Sequence, residues 1–263
     1  YATLDERAGR VARQIAAVGH PRDRLAVLLP HDIGLFVTML AALKAGRVVL
    51  VLNPSDPQPR LEQLIADAEP AVIATDEAGA PRANALAPEG TQVLRIDASS
   101  AAPPTGGPGV RLSDTDPAFL TYTSGSTGRP KAVVLRHDTV ARSVSANLDI
   151  WGVAPADRIA LPASLWGAQG NNTLWTTLLG GATVCVFPAV ERGVTGLARW
   201  LVAERITVFP AASSLLRHFV RTLDDQDAFP DIRLIKISAD SATWDDIRTC
   251  RRYFPNARVV YAM

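Results

Sequence analysis

Cysteine is scarce in this chain: Cys185 and Cys250 are the only two among 263 residues. They stand far apart and in no metal-binding or redox spacing. That excludes a disulfide scaffold and leaves two buried thiols in a reducing compartment as the expectation. An excess of one charge is lacking too. Lys and Arg number 27 against 26 Asp and Glu, a formal net charge of +1. A dedicated nucleic-acid or membrane-surface binder would carry a basic excess, so neither partner is expected. No stretch approaches about 18 uninterrupted apolar residues, the length a membrane span requires. The first residues show no basic run ahead of an apolar core, so no secretory signal is visible and a cytoplasmic location is expected. Self-similarity at a period of about 20–50 residues is absent, which excludes a repeat array.

What is present is an ordinary globular balance, with 48% hydrophobic and 20% charged residues. Two apolar periods alternate along the chain. Leu4, Ala8, Val11 and Ile15 recur at helical spacing, and Thr3-x-x-Glu6 reads as a capping box. Residues 25–29 and 48–52 read as strands around a helix at 32–44, with Gly46 as its stop. A helix at 60–68 and a strand at 71–74 follow. Residues 97–109 are Ala, Ser, Pro and Gly without apolar period, and read as a connector. Alternation then resumes, with strands at 118–122, 132–135, 183–187, 206–209, 232–237 and 258–261. Helices are expected at 138–150, closing at 175–179, and at 194–204, 211–223 and 243–252. This pattern predicts parallel sheets covered by helices. The expected units are 1–96 and 118–263, joined by a flexible segment at 97–117.

Chemistry concentrates in Thr123-Ser124-Gly125-Ser126-Thr127-Gly128. Two glycines permit a sharp turn and close approach to a ligand. Successive backbone N–H groups and four hydroxyls suit an anion, and Lys131 adds a point charge. A Walker-type loop needs Gly before the Lys and Ser or Thr after it. Here Pro130 precedes Lys131, and Ala132 to Leu135 favour a strand. Phosphates held here would therefore not sit on a helix N-terminus. A lone Gly/Ser/Thr loop is more often a surface turn.

The full string from Leu120 to Lys131 resembles the phosphate-loop motif of the adenylate-forming superfamily: acyl-CoA synthetases, adenylation domains of nonribosomal peptide synthetases, and luciferases. The likeness extends through Thr3 to Ala8, Leu43 to Gly46, Leu52 to Pro57 and Leu178 to Val184. It implies an α/β fold of two helix-flanked sheets, layered αβαβα, as in the large subdomain of such enzymes. It also implies ATP-dependent activation of a carboxylic acid as an acyl-adenylate. Transfer to the thiol of coenzyme A or of a carrier-protein phosphopantetheine follows, with magnesium accompanying ATP.

Carried onto this sequence residue by residue, the resemblance gives Thr123, Ser124, Gly125, Ser126, Thr127, Gly128 and Lys131 to the leaving phosphates. Lys131 is the candidate catalytic cation and Thr123 the candidate magnesium ligand. Ser238, Ala239, Asp240 and Tyr261 flank the adenine. Trp166, Ala168, Gln169 and Asn172 hold the acyl group. Two departures stand out. Domains that activate α-amino acids carry an Asp where Ala168 stands, and alanine cannot pair with an ammonium. An acid without an α-amine is expected. Gln169, Asn171 and Asn172 either bond a polar substrate or satisfy backbone near a helix start. The second departure is Ser238-Ala239-Asp240, where Gly-Gly-Glu or Gly-Glu-Pro is usual. Ala262 likewise replaces a Gly after Tyr261. The family's magnesium-binding Glu, ribose-binding Asp and distal catalytic Lys would follow Met263, so the chain is expected to be an N-terminal portion with at most weak activity alone. The competing reading is a degenerate adenylation fold that binds nucleotide or a partner without catalysis. His137 reads as a helix-terminus residue, and Trp151, Trp200 and Trp244 as packing residues.

Overall fold

The computed structural model describes residues 1–97, 108–123, 130–238 and 243–262. The chain divides into two compact units, Tyr1–Ala141 and Arg142–Met263.

The first unit opens with α1 (Ala2–Ala16), β1 (Arg24–Leu28), α2 (Ile33–Lys44), β2 (Val48–Leu52), α3 (Gln58–Ala68) and β3 (Val72–Thr75). Then come α4 (Ala80–Leu86), β4 (Gln92–Arg95), β5 (Pro117–Thr123) and β6 (Lys131–Arg136). Among the described residues the strands form one sheet in the order β4-β3-β1-β2-β5-β6. It is parallel except for the antiparallel β5–β6 pair. Successive strand side chains point to opposite faces. Ala26, Leu28, Leu50 and Leu52 meet Leu61, Leu64 and Ile65 of α3 and Ala83 and Leu86 of α4 in one apolar cluster. On α2, Asp32 caps the helix, accepting from the Gly34 N–H at 2.8 Å.

Arg47 is the largest fully buried side chain of this unit, only 1% exposed. Its guanidinium donates to the carbonyls of Ile15 (2.9 Å), Val18 and His20 and to Asp23 (3.1 Å). It thus satisfies carbonyls that the end of α1 leaves without helical partners.

Helix α5 (His137–Trp151) carries the chain into the second unit, which continues with β7 (Arg158–Leu161), α6 (Ala168–Leu179), β8 (Thr183–Val186) and α7 (Ala189–Arg192). It is completed by α8 (Leu197–Ala203), β9 (Val208–Ala212), α9 (Ser213–Val220), β10 (Leu234–Ser238), α10 (Trp244–Tyr253) and β11 (Arg258–Ala262). Its strands are all parallel, in the order β11-β10-β9-β7-β8. Phe209, Ile235 and Ile237 pack on one face against Leu201, Leu216, Phe219, Cys250 and Phe254. Ile159, Val208 and Leu234 pack on the other against Trp151 and Ala182. Both cysteines are free and buried. Burial, and secondarily Asp246, push the Cys250 thiol up to about 12, so it is inert at neutral pH.

Several local expectations are corrected. Helix α1 begins at Ala2 without a side-chain cap, so Thr3 lies inside the first turn. Among the described residues a capping box stands at Thr243–Asp246, at the start of α10. Strands β5 and β6 pair into the first sheet through Val49 and Phe119, so residues 118–136 pack with the first unit, not the second as the connector suggested. Residues 98–107 of that connector lie outside the described residues. Trp151 and Trp200 are packing residues, but Trp244 is 79% exposed. The buried positions of α10 are Asp246, Cys250 and Tyr253, and Trp244 stands off that stripe. Elements α4, β4 and β7 lay outside the sequence reading.

Candidate functional site

In the first unit, Thr123 closes β5 and Lys131 opens β6, and the two are direct partners across the antiparallel pair. Both are exposed, and among the described residues Lys131 forms no ion pair. Tyr122 anchors this strand end: its hydroxyl donates to the Asp67 carboxylate of α3 at 2.6 Å. Burial first, and that bond second, raise the Tyr122 phenol above its ordinary pKa. A hydroxyl and a free ammonium thus flank the glycine-rich segment at adjacent strand ends, a donor set suited to phosphate oxygens. Ser124, Gly125, Ser126, Thr127 and Gly128 themselves lie outside the described residues.

In the second unit the sequence-predicted residues gather at the carboxyl ends of the parallel strands, where open α/β sheets bind ligands. Ser238 ends β10 and is the register partner of Ala212 and Ala262; Tyr261 pairs with Ile237. Ser238 is buried, and its hydroxyl donates to the Ala211 carbonyl at 3.4 Å. Tyr261 is exposed. Ala239 and Asp240 lie outside the described residues.

Beyond β7 the chain forms a cleft of 400 Å³ lined by Pro162–Ser164, Gly167–Gly170, Ala189 and Leu215. Its wall depends on one glycine. A Cβ on Gly170 would stand 2.1 Å from the Ser164 carbonyl oxygen, so only glycine lets α6 close on this turn. Ala168 lines the cleft at the first turn of α6 and is exposed. No carboxylate is among the described lining residues. Gln169 also lines it, with its Nε2 buried and without an acceptor among the described residues.

Asn172 and Trp166 are not among the lining residues. Both ends of the Asn172 amide are engaged: Oδ1 accepts from Asn147 Nδ2 (2.6 Å) and Thr176 Oγ1 (3.2 Å), and Nδ2 donates to Ser143 Oγ (2.9 Å). This network ties α5 to α6. Asn171, buried one turn before Trp175, accepts from its indole N–H at 2.7 Å. Trp166 is half-buried.

Other polar clusters of this unit are internally paired. At the amino ends of the strands, Arg233 meets Asp157 through Nε (2.9 Å) and Nη2 (2.5 Å) and donates to the Trp151 and Gly152 carbonyls. Burial pushes the Asp157 carboxyl up, but Arg233, Ala154 N–H and Thr207 outweigh it and hold it below the ordinary range. A cleft of 460 Å³ between α9 and α10 contains the bidentate Arg217–Asp246 pair, both bonds 2.8 Å. One residue that sequence reasoning passed over is Lys236, in the middle of β10. Its signal was a lone cation inside the buried run Leu234-Ile235-Lys236-Ile237. Among the described residues, no group of three or more His, Cys, Asp or Glu side chains is placed to hold a metal, and no helix is long and apolar enough to cross a membrane.

The family model described as AMP-binding enzyme matches residues 1–263. The chain is 32% identical over 253 residues to a dimodular nonribosomal peptide synthase of Bacillus subtilis (strain 168), covering 88% of this chain and 10% of that protein. An AMPPNP-bound structure of the nonribosomal peptide synthetase FmoA3 (S1046A) superposes with a TM-score of 0.84 at 27% identity, over 98% of this chain and 28% of the other. ATP-bound MatB from Rhodopseudomonas palustris superposes with a TM-score of 0.86 at 25% identity, over 100% of this chain and 54% of the other. The chain therefore spans well under two thirds of each of these relatives.

Proposed function

Because the chain belongs to the AMP-binding enzyme family, we propose that it supplies the phosphate loop and acyl cleft of an ATP-dependent carboxylate-activating ligase. The observation that carries this reading is the Thr123–Lys131 pairing, which brackets the glycine-rich segment with a hydroxyl and an ammonium that forms no ion pair among the described residues. In the proposed reaction a substrate carboxylate attacks the α-phosphate of ATP, giving an acyl-adenylate and pyrophosphate. The chain's task is to stabilise charge on the departing phosphates and to align the carboxylate. Lys131 and the 123–128 segment serve the first need. Thr123 would hold magnesium, which would supply neutralisation of the phosphate charge.

The acyl group occupies the cleft lined by Ala168 and Gln169. Ala168 at its rim, with no carboxylate among the described lining residues, favours an acid without an α-ammonium. Trp166 and Asn172 act behind this wall, Asn172 by fixing α6 to α5. Ser238, Ala239, Asp240 and Tyr261 serve the adenine side. The peptide-synthetase relatives favour a carrier-protein thiol as acceptor, with coenzyme A as the other choice. A second reading, a nucleotide-binding module without catalysis, draws on Ser238, whose hydroxyl is committed to the Ala211 carbonyl where the family's glycines leave room for the nucleotide.

The test is carboxylate-dependent ATP–pyrophosphate exchange by the full polypeptide that carries this chain, across aryl, aliphatic, hydroxy and amino acids. Exchange with a non-amino acid supports the proposal. Strong exchange with an ordinary α-amino acid overturns the reading of Ala168. Absence of exchange in folded protein that still binds ATP favours the binding module.

A further inference from the structure

Along β5, successive side chains take opposite faces of the sheet. Leu120 and Tyr122 share one face, and both join the apolar cluster formed with α3 and α4. Thr123 takes the other face. Among the described residues β5 is bridged to β2 at one register pair, Val49–Phe119, well before Thr123 is reached. On its other side lies β6, which ends the sheet and whose first four residues are exposed. The end of β5 and the start of β6 therefore form a two-stranded ribbon at the sheet edge. Two strands hold their place poorly unless a third element packs on them.

Tyr122 brings that third element. Its hydroxyl donates to the Asp67 carboxylate of α3 at 2.6 Å and, more weakly, to the Leu64 carbonyl of the same helix at 3.5 Å. Helix α3 is itself fixed, with Leu61, Leu64, Ile65 and Ala68 buried. Burial first, and then Asp67, raise the pKa of the phenol, so it stays a donor at neutral pH. Register carries the constraint onward. Tyr122 faces Ala132 across the antiparallel pair, and Thr123 faces Lys131. Holding the Tyr122 ring on α3 thus holds the backbone from which the Thr123 hydroxyl and the Lys131 ammonium both project.

We propose that Tyr122 is a positioning residue for the nucleotide: bonded to Asp67, it locks the ends of β5 and β6 so that Thr123 and Lys131 meet phosphate oxygens together. This rests on the proposed phosphate site and extends it. Tyr122 acts through the strand and not on the phosphates, because its hydroxyl is committed to α3. Donors that are already placed cost little ordering when the ligand arrives. The effect falls on ATP affinity and not on the acid, whose cleft belongs to the second unit.

The test uses the full polypeptide that carries this chain. Titration calorimetry gives the Kd for Mg·ATP, and pyrophosphate exchange gives the KM for the acid. The variants are Tyr122→Phe, which keeps the ring in the apolar cluster, Asp67→Ala, the two combined, and Asp67→Asn, whose amide oxygen still accepts. Tyr122→Phe is expected to weaken ATP binding roughly 3- to 10-fold, the span of one net hydrogen bond, with the KM for the acid unchanged. Asp67→Ala should do the same, and the double variant no more than either, since each deletes the one shared bond. Asp67→Asn should stay close to the native Kd. A lowered Tm with native ATP affinity would make the bond merely structural and overturn the proposal. Additive losses in the double variant, or an equal rise in the KM for the acid, would overturn it too. Folded native protein that binds no ATP would instead sink the phosphate site on which the proposal rests.

Discussion

The Cα of Gly170 lies so close beneath Ser164 that a Cβ there would come within 2.1 Å of the Ser164 carbonyl oxygen and 2.7 Å of its carbonyl carbon. Both atoms are backbone and neither can swing aside. The contact joins the turn after β7 to the second residue pair of α6, and so sets the width of the cleft. Gly170→Ala is expected to cost about 1–3 kcal/mol, the usual range for forced overpacking. It should also depress exchange for every acid, since the whole wall moves. Thermal melting and the acid panel read the two effects. An alanine variant with native Tm and native exchange would show that this turn yields freely.

Lys131 gives the complementary case, a residue whose removal should touch function and not fold. It is exposed and unpaired among the described residues, at the start of β6. Surface substitutions of this kind usually change stability by less than about 0.5 kcal/mol. Lys131→Ala should nevertheless raise the KM for ATP in the exchange reaction roughly 10-fold or more, because a charge-assisted bond to phosphate is lost. An unchanged KM would remove Lys131 from the phosphate site.

How much of this was legible in the sequence depends on the range of the forces involved. Strands β1, β2, β3, β9 and β10 were readable because buried parallel strands are continuous apolar runs. Edge strand β4 was not. Gln92 and Arg95, its first and last residues, are exposed, so it carries no apolar signal. Helix α4 was masked by Pro81 and by its seven-residue length. The phosphate segment could be located because its chemistry is local. The role of Asn172 could not: its amide is claimed by Asn147 and Ser143, 25 and 29 residues away, and no local pattern encodes that. Lys236 was hidden for the same reason, since period-2 alternation gives it a face but does not say that the face is covered.

Arg47 tests the reading of the first unit. Its guanidinium serves three carbonyls and one carboxylate at the end of α1. Arg47→Met keeps most of the apolar stem and deletes every donor. The Ile15 and His20 carbonyls keep the Val18 and Asp23 N–H groups, so the loss of the charge-assisted bonds is expected to cost about 1.5–3 kcal/mol, visible as a lower denaturant midpoint. A loss under about 1 kcal/mol would mean that water satisfies those carbonyls when the arginine is gone.

Asp246 supplies a pH signature in the second unit. Its carboxylate is 7% exposed and is held by Arg217 in a bidentate pair; burial opposes this, while the N–H and hydroxyl of Thr243 add to it. The Arg217 bond leads in drawing its pKa down to about 2, below the roughly 3.9 of an unfolded Asp. A depressed folded-state pKa means that the native state binds the proton less readily than the unfolded chain. The contribution is therefore complete above about pH 4 and disappears as pH falls through about 2. Half-exposure of Arg217 screens the pair, so the native protein should exceed Asp246→Asn by roughly 1–2 kcal/mol at pH 7. Urea unfolding at a series of pH values should show the two curves converging between about pH 4 and pH 2. A difference that persists unchanged at pH 2 would assign the loss to the capping hydrogen bonds of Thr243 rather than to the ion pair.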